Sequence, residues 1–239
     1  MLTVSVITVT YNNAEGLRRT LKSLVSLIKK PEEVIVIDGG SSDATKEVIN
    51  EYDHVLQIVF ISEKDEGIYD AMNKGLGMAK YNTVHYLNAG DYVEGEPYQD
   101  VKIGLLPVRV VDEEGLHLSF DKIKLWGNGY CHQGIIFPNH HPLYNTLFKI
   151  ASDIDLIIRV FPLGLKSLPL CETGGVVYDL SGISSNMRFA RDYEIAQVLY
   201  NRRGILIVSK FVLLALLKSA MPKSVRRWIR KLSNESKAK

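Results

Sequence analysis

The chain has 239 residues, of which 46% are apolar and 23% charged, so it can bury one sizeable core in a main domain with appendages. It contains no internal repeat and no low-complexity segment, which excludes repeat architectures and compositionally biased chains. The net charge of +2 is unevenly placed, because residues 202–239 hold eleven Lys or Arg and one Glu, whereas residues 1–201 hold 18 basic and 26 acidic residues.

Strand and helix patterns alternate along the first 91 residues. Apolar, β-branched runs predict strands at residues 4–9, 34–37, 55–61 and 83–87. Helical spacing predicts helices from Leu17 to Ile28, from about residue 43 to Tyr52, and over residues 68–80. This β-α-β-α-β-α-β order predicts a mostly parallel sheet with helices on both faces.

Polar residues stand at or just beyond the carboxyl ends of these predicted strands, where ligands bind in such sheets. They are Thr10, Tyr11 and Asn12 after the first strand, Asp38 after the second, Asp65 after the third, and Asn88 and Asp91 after the fourth. Alone, Asp38 before two glycines is more typical of a turn or a helix cap than of a binding residue. In combination, these residues predict a binding site at one edge of the sheet.

Four elements in one order resemble the nucleotide-sugar half of a family 2 glycosyltransferase. They are TVSVITVTYNN, VIVIDGGSSDAT, EKDEGIYDAMNKG and YLNAGD. The resemblance covers about residues 1–195 and is nearest to the branch that makes bacterial cell-surface polysaccharides of the colanic-acid type. It implies a GT-A fold and an inverting displacement that moves a hexosyl or N-acetylhexosaminyl group from a nucleoside-diphosphate sugar to a lipid-linked or surface-glycan hydroxyl.

The resemblance also assigns the donor-binding residues. Thr10, Tyr11 and Asn12 correspond to the motif that surrounds the nucleotide base, and Asp38 to the carboxylate that accepts a hydrogen bond from the uracil ring N–H, which favours UDP. Asp65 is placed near the donor. We therefore predict a division into a nucleotide-sugar-binding half, residues 1–91, and an acceptor half, residues 92–201.

The fourth element carries the expected metal site. The family motif is Asp-x-Asp or Asp-x-Asp-Asp, whereas this chain has Asn88-Ala89-Gly90-Asp91 and keeps one carboxylate. By resemblance, Asp91 binds Mn²⁺ or Mg²⁺, cations that prefer carboxylate oxygen and can take further ligands from phosphate. Asn88 is assigned a ribose or diphosphate contact. Read in isolation, the same four residues form only a polar turn.

Two segments of the acceptor half continue the resemblance. Ala151-Ser152-Asp153-Ile154-Asp155-Leu156 resembles the segment with the catalytic base, so Asp153 is predicted to deprotonate the acceptor hydroxyl. His132 and Gln133 resemble a strand entry near the donor sugar and the acceptor. The alternatives are that the two aspartates are exposed helix charges and that His132 is a structural histidine.

The basic tail, residues 202–239, carries an apolar stretch of about 13 residues, short of the roughly 20 that span a bilayer. Its composition favours peripheral binding to an anionic membrane surface. Packing on the main domain or on a homodimer partner is the alternative, and a nucleic-acid arm is disfavoured by so many Leu, Val and Ile. The resemblance implies a bacterial enzyme, and because no signal-peptide pattern stands at the start, we expect it on the cytoplasmic side of the plasma membrane.

Two other functional classes compete with the transferase. A nucleotidyltransferase would carry a Gly-rich loop with Arg or Lys after the first strand, but the first basic residue here is Arg18. A catalytically silent relative that binds a nucleotide sugar or a partner enzyme is compatible with the lost first Asp of the acidic motif.

Overall fold

The computed structural model describes residues 2–111, 117–120, 131–179 and 188–220. In the first part of the chain, strands and helices alternate as β1 Val4–Thr10, α1 Ala14–Val25, β2 Glu33–Asp38, α2 Thr45–Tyr52, β3 Ile58–Ser62, α3 Ile68–Met78 and β4 Thr83–Tyr86. The predicted alternation is confirmed element by element.

The remaining elements are shorter and less regular. They are β5 Tyr92–Gly95, β6 Gly104–Leu105, β7 Val108–Val111, β8 His117–Phe120, a 3-10 turn His132–Gly134, β9 Ile135–Pro138, α4 Ser152–Val160, β10 Gly174–Asp179, α5 Arg188–Arg203 and α6 Ile205–Ala220. The predicted basic tail continues past α6 into residues 221–239, which lie outside the described residues.

The described strands form two sheets. The main sheet has the order β3-β2-β1-β4-β9-β6, with parallel pairing from β3 to β4 and antiparallel pairing at β9 and β6. The second sheet has the order β5-β10-β7-β8. Parallel pairing of β1 with β2 and β4 sets their carboxyl ends at one edge, as predicted.

The core lies on both faces of the main sheet. Leu17, Leu21 and Leu24 of α1 pack with α2 against one face of β1 and β2. Helices α3 and α4 pack against the other face, where Met72 and Leu156 are fully buried. Helices on both faces of a largely parallel sheet confirm the predicted α/β fold class.

Two predicted boundaries, the end of α1 and the start of β3, are each wrong by three residues. Helix α1 ends at Val25, and Ile28, predicted inside it, is 91% exposed. The reason is a contact distant in sequence: the Glu96 carboxylate accepts the backbone N–H groups of Ile28 and Lys29, which fixes a turn there. Strand β3 begins at Ile58, three residues later than predicted.

The end of α5 bears on the division at residue 201, which falls inside this helix. Arg202 is bonded to Asp155 of α4, and Arg203 donates to the carbonyl of Pro162. The helical path changes at Gly204, whose φ is +81°. The first two basic residues of the predicted tail are therefore bound to the main domain.

Candidate functional site

The loop after β1 is fastened to the loop after β2 by Asn12. Its backbone N–H donates to Ser41 Oγ at 2.7 Å, and its side-chain oxygen accepts the N–H of Ser42 at 2.9 Å. Asn12 has φ +46°, a conformation that Asn tolerates better than most residues. The predicted base-binding residue Asn12 thus shapes the loop, and its side-chain oxygen is already in use.

Thr10 and Tyr11 occupy the carboxyl end of β1 in contrasting ways. Thr10 is buried, and its hydroxyl has no hydrogen-bond partner among the described residues. Tyr11 is 65% exposed. A ring that open to solvent can stack on a planar ligand, as the predicted base contact requires.

Asp38 lies at the matching end of β2 and is 2% exposed. Its carboxylate accepts the N–H of Ser41 at 3.0 Å and the hydroxyl of Ser62 at 2.6 Å, and it also accepts the Ser41 hydroxyl. A carboxylate offers about four acceptor positions. The predicted contact with a base N–H would use the one that remains, and it stays a prediction.

Asp65 is brought to the same place from the loop after β3. A β-carbon built on Gly39 would lie 2.8 Å from Asp65 Oδ2 and 3.2 Å from Tyr11 Cδ2, so both side chains close on the Gly39 backbone. The site residues contributed by the first three strands therefore gather around Gly39, next to Asp38. We call Thr10, Tyr11, Asp38 and Asp65 the donor rim.

The turn of residues 88–91 is built on Gly90 and Thr20. Gly90 has φ +108°, and its N–H donates to Thr20 Oγ1, which donates in turn to the Asp91 carbonyl at 2.6 Å. Asn13 ties the β1 loop to this turn by donating from Nδ2 to the Ala89 carbonyl. The Asn88 Oδ1 atom is buried and has no partner among the described residues, so it is available to a ligand donor.

The Asp91 side chain points into the protein. It is 4% exposed, with Oδ2 accepting from Gln133 Nε2 at 3.1 Å and Oδ1 accepting the N–H of Asp179 at 3.0 Å. Burial raises the pKa of Asp91 to about 7. Among the described residues, no group of three or more His, Cys, Asp or Glu could hold a metal ion. This arrangement does not fit a divalent cation at Asp91, and the predicted metal role stays a prediction.

Asp153 stands in the first turn of α4 with its side chain 16% exposed. Its Oδ2 lies 3.6 Å from His132 Nδ1, while His132 Nε2 is buried without a partner among the described residues. Burial raises the pKa of Tyr69 and of Tyr144 well above their usual range, and the charge of Asp153 adds to both shifts. Asp153 therefore lies near the imidazole of His132 and near two phenols, those of Tyr69 and Tyr144, whose raised pKa values keep them protonated.

The two adjacent residues of the 3-10 turn connect Asp153 to the acidic motif. His132 faces Asp153, and Gln133 donates to Asp91. Burial raises the pKa of Cys131, and the charges of both Asp91 and Asp153 contribute to the shift, which places the thiol near both carboxylates. We call His132, Gln133, Asp91 and Asp153 the acceptor cluster.

Sequence reasoning missed Glu194 of α5. Its carboxylate accepts three backbone N–H groups at the entrance of α4, from Lys149 at 3.0 Å, Ile150 at 2.8 Å and Ala151 at 2.9 Å. A carboxylate at the N-terminal end of a helix accepts hydrogen bonds from backbone N–H groups that have no partner within the helix. Its negative charge also interacts favourably with the helix dipole. Glu194 follows the entrance by more than 40 residues, and no local pattern links the two.

Asp155, the second carboxylate of the predicted base segment, is structural. It is 1% exposed and binds Arg159 Nε at 2.8 Å and Arg202 Nε at 2.7 Å. The predicted alternative of exposed helix charges does not apply to Asp155, and Asp153, with its side chain 16% exposed, is the more accessible of the two carboxylates.

A cavity of about 890 Å³ lies between the second sheet and residues 165–170. Its lining includes Glu94, Arg109 and Lys166, and none of the predicted site residues lines it. The candidate site is therefore defined by the convergence of side chains at the strand ends and not by this cavity.

Comparison with known proteins relates these observations to a family. Residues 5–99 match the family model described as Glycosyl transferase family 2. A PGL/p-HBAD biosynthesis glycosyltransferase of Mycobacterium bovis is 26% identical over 181 residues, which are 66% of this chain and 69% of the relative. The family match and this relative support the prediction of a family 2 glycosyltransferase.

Solved structures of two proteins show the fold. S. aureus TarS 1–349 in complex with UDP-GlcNAc has a TM-score of 0.63 and 18% identity, covering 84% of this chain and 68% of that one, and the match covers 40% of a longer TarS structure. Mannosyltransferase PcManGT from Pyrobaculum calidifontis, solved with GDP-Man and Mn²⁺, has a TM-score of 0.61 and 16% identity over 98% of this chain and 80% of that one. These likenesses confirm the predicted GT-A fold.

Proposed function

We propose that the chain is an inverting glycosyltransferase that moves a hexosyl or N-acetylhexosaminyl group from a nucleoside-diphosphate sugar, a UDP-sugar by preference, to a hydroxyl of a lipid-linked or cell-surface glycan. The observation that carries the proposal is the 3.6 Å approach of Asp153 to His132, next to the Gln133–Asp91 bond at the strand ends. Through His132 and its neighbour Gln133, this contact connects the partly exposed Asp153 carboxylate to Asp91 in the predicted nucleotide-sugar-binding half. A general base beside a nucleotide-sugar rim is the arrangement that glycosyl transfer to a hydroxyl needs.

The proposed step transfers one proton to Asp153, forms one bond to the anomeric carbon and breaks one bond to it. The Asp153 carboxylate takes the proton of the acceptor hydroxyl, and the oxygen attacks the anomeric carbon on the face opposite the diphosphate. The bond from that carbon to the diphosphate oxygen breaks, its electron pair leaves with the nucleoside diphosphate, and the configuration inverts. A well-placed general base contributes about 10²–10⁴-fold to such a step.

The donor rim would hold the nucleotide. Tyr11 offers an exposed ring for the base, and Asp38 and Asp65 offer carboxylates beside it. Asn88 Oδ1, buried without a partner among the described residues, is the candidate contact for a ribose hydroxyl. The PcManGT structure is a complex with GDP-Man and Mn²⁺. A requirement for Mn²⁺ or Mg²⁺ in this chain is an expectation that the assay below includes.

A catalytically silent nucleotide-sugar-binding relative is the second candidate function. It is favoured by Gly90, which stands at the second Asp of the Asp-x-Asp-Asp motif, and by the inward Asp91. Such a protein would keep the donor rim and lack turnover.

The acceptor proposal includes the tail. Helix α6 exposes Ile205, Leu206 and Leu213 to solvent. In the sequence, the basic residues of 202–239 lie just before this helix, within it or after it. Among the described helices, none has both the length and the apolarity to cross a bilayer. We propose that the tail lies on the cytoplasmic face of an anionic bacterial membrane, where a lipid-linked acceptor would be found. Packing on a second copy is the competing role.

The test is release of nucleoside diphosphate from UDP-, GDP- and dTDP-sugars by the purified full-length protein, with Mn²⁺, with Mg²⁺ and with chelator. We expect slow release from one donor, and a reduction of about 10²-fold or more in Asp153→Asn with donor affinity unchanged by calorimetry. Asp100→Asn, at an exposed residue paired with Lys102, is the matched control. Binding without turnover would favour the silent relative, and no binding of any donor would refute both candidates.

A further inference from the structure

Asp91 is bonded to three separate parts of the chain. Its side chain accepts from Gln133 beside β9 and from the N–H of Asp179 at the end of β10, and its carbonyl accepts from Thr20 of α1. Asp179 in turn binds Arg19 of α1 through its carboxylate at 2.9 Å. The acidic motif of the donor half is thus tied to two segments of the acceptor half through one buried side chain.

This bonding pattern differs from that of a metal ligand. A hard cation at a diphosphate needs a carboxylate oxygen directed at the open side of the site. Both Asp91 oxygens are used by N–H donors, and 4% exposure leaves little room for a cation. To bind Asp91, a nucleotide-bound cation would have to share oxygens that already accept from Gln133 and from Asp179 at the end of β10.

The partners of Gln133 show what Asp91 holds in place. Gln133 Nε2 is fixed by Asp91, and Gln133 Oε1 accepts from the Cys131 thiol at 2.8 Å. The Gln133 carbonyl accepts from the ring of the fully buried His85, 2.6 Å away. With side chain and backbone both bonded, Gln133 has one orientation, and this sets the position of its neighbour His132 against Asp153.

We propose that Asp91 is a positioning residue and not a metal ligand: through Gln133 it fixes His132 against Asp153, and through Asp179 it fastens β10 to the donor half. The inference rests on the proposed function for its catalytic consequence. Its structural part, the fastening of two segments, holds with or without turnover.

The test uses the full-length protein with Asp91→Ala, Gln133→Leu and the control Asp100→Asn. In the absence of nucleotide, hydrogen exchange should accelerate by about tenfold or more in peptides over residues 131–138 and 174–179 of Asp91→Ala, and over 131–138 of Gln133→Leu. Mn²⁺ binding in the presence of UDP, followed by electron paramagnetic resonance, should keep its affinity within about twofold in both variants.

Steady-state kinetics of the same variants is the third measurement. Each single variant should lower kcat by about tenfold or more with the donor KM retained, and the double variant should be no worse than the poorer single one, because the two residues act through one bond.

Three results would overturn the inference: loss of Mn²⁺ affinity confined to Asp91→Ala, unchanged exchange in both peptides, or additive losses of kcat. If Asp91→Ala does not fold, Gln133→Leu removes the same bond from the other end and carries the test. If the wild-type protein turns over no donor, the proposed function fails, whereas the exchange result still decides whether Asp91 fastens these segments.

Discussion

At the residue scale, the backbone of Gly90 determines which side chains the 88–91 turn can carry. Its φ of +108° is accessible to glycine and strained for other residues. In the family's Asp-x-Asp-Asp register, this is the position of the second carboxylate. The absence of that carboxylate is therefore coupled to the shape of the turn and cannot be reversed by one substitution without strain.

We expect Gly90→Asp to lower the free energy of unfolding by about 1–3 kcal/mol, because a side chain is forced into a left-handed conformation. The thermal midpoint should fall by roughly 2–4 °C for each kcal/mol. The control is Gly77→Asp in α3, where no positive φ is required and a β-carbon meets no atom within 4 Å. Equal midpoints for the two variants would show that the turn tolerates a side chain and would contradict this account.

The pKa of Asp91 gives a second residue-level prediction. Folding raises this pKa from its ordinary 3.8 to about 7, so the folded state holds the proton more tightly. The associated stability is fully present below pH 3.8 and is lost as the pH rises through 7. Asp91→Asn cannot titrate, so its unfolding free energy relative to wild type should increase between pH 4 and 7, by up to roughly 1.4 kcal/mol per unit.

The measurement is denaturant unfolding of both proteins at pH 4.5, 6 and 8, and the difference between them is the quantity to follow. The wild-type curve alone would mislead, because burial lowers the pKa of His85 to about 4. Stability from His85 is present above pH 6.5 and is lost as the pH falls through 4, which opposes the Asp91 trend. A constant difference between variant and wild type would refute the raised pKa of Asp91.

At the element scale, α5 supports α4, the helix that carries the proposed base, although α5 lies at the boundary of the predicted tail. Glu194 binds the entrance of α4, and Arg202 binds Asp155 within it. Asp153 sits between these two attachments. The position of the proposed base thus depends on a helix that sequence reasoning divided between the acceptor half and the tail.

Glu194→Gln should reduce kcat by about ten- to a hundredfold, since small displacements of a catalytic group are costly. The amide keeps one acceptor oxygen for three N–H groups and loses the charge, which should also cost about 1–3 kcal/mol of stability. The donor KM should not change, because α4 contributes nothing to the donor rim. Asp192→Asn on the same helix is the control, and equal kinetics for the two variants would remove Glu194 from the positioning of Asp153.

The parts of the fold that could be predicted are those with local patterns. The apolar runs of β1 and β2 and the helical spacing of α1 lie within single segments, and their parallel order follows from the alternation. Strands such as β6, with two residues, are too short to show a period. The second sheet depends on pairings between distant segments, which a single sequence does not display.

The same distinction holds within the site. The strand ends located Thr10, Tyr11, Asp38 and Asp65 near one another, and the structure gathers them around Gly39. The inward direction of the Asp91 side chain could not be predicted, because it depends on Gln133, 42 positions away, and on the end of β10. Residue type and position predicted a carboxylate at the strand end, but not the direction in which it points.

At the scale of the whole molecule, the excess of basic residues in the tail is accounted for, among the residues that the structure describes, by contacts with the main domain at its first two arginines only. Arg202 and Arg203 are engaged by the main domain, which leaves the basic residues beyond Gly204 as candidates for a surface contact. Leu206, 83% exposed, and Leu213 supply apolar area on α6. A membrane, a second copy or the main domain could cover that area, and charge is the property that separates a membrane from the other two.

We expect the full-length protein to bind vesicles containing anionic lipid and to leave neutral vesicles unbound, with binding weakened by salt. Replacing three tail residues by Gln should reduce partitioning by up to about fivefold per charge, which corresponds to about 1 kcal/mol for each basic residue near an anionic surface. The residues are Lys223, Arg226 and Arg227. The change leaves the two arginines bound to the main domain intact.

The control replaces three exposed lysines of the main domain by Gln and so carries the same net charge as the tail variant. The residues are Lys46, Lys64 and Lys102. Vesicle sedimentation of the three proteins at low and high salt separates the alternatives. Loss of binding in the tail variant alone locates the membrane contact, because net charge is matched. Equal loss in both variants would indicate a general charge effect, and no binding by the wild type, with a dimer in solution, would assign the apolar face of α6 to a second copy.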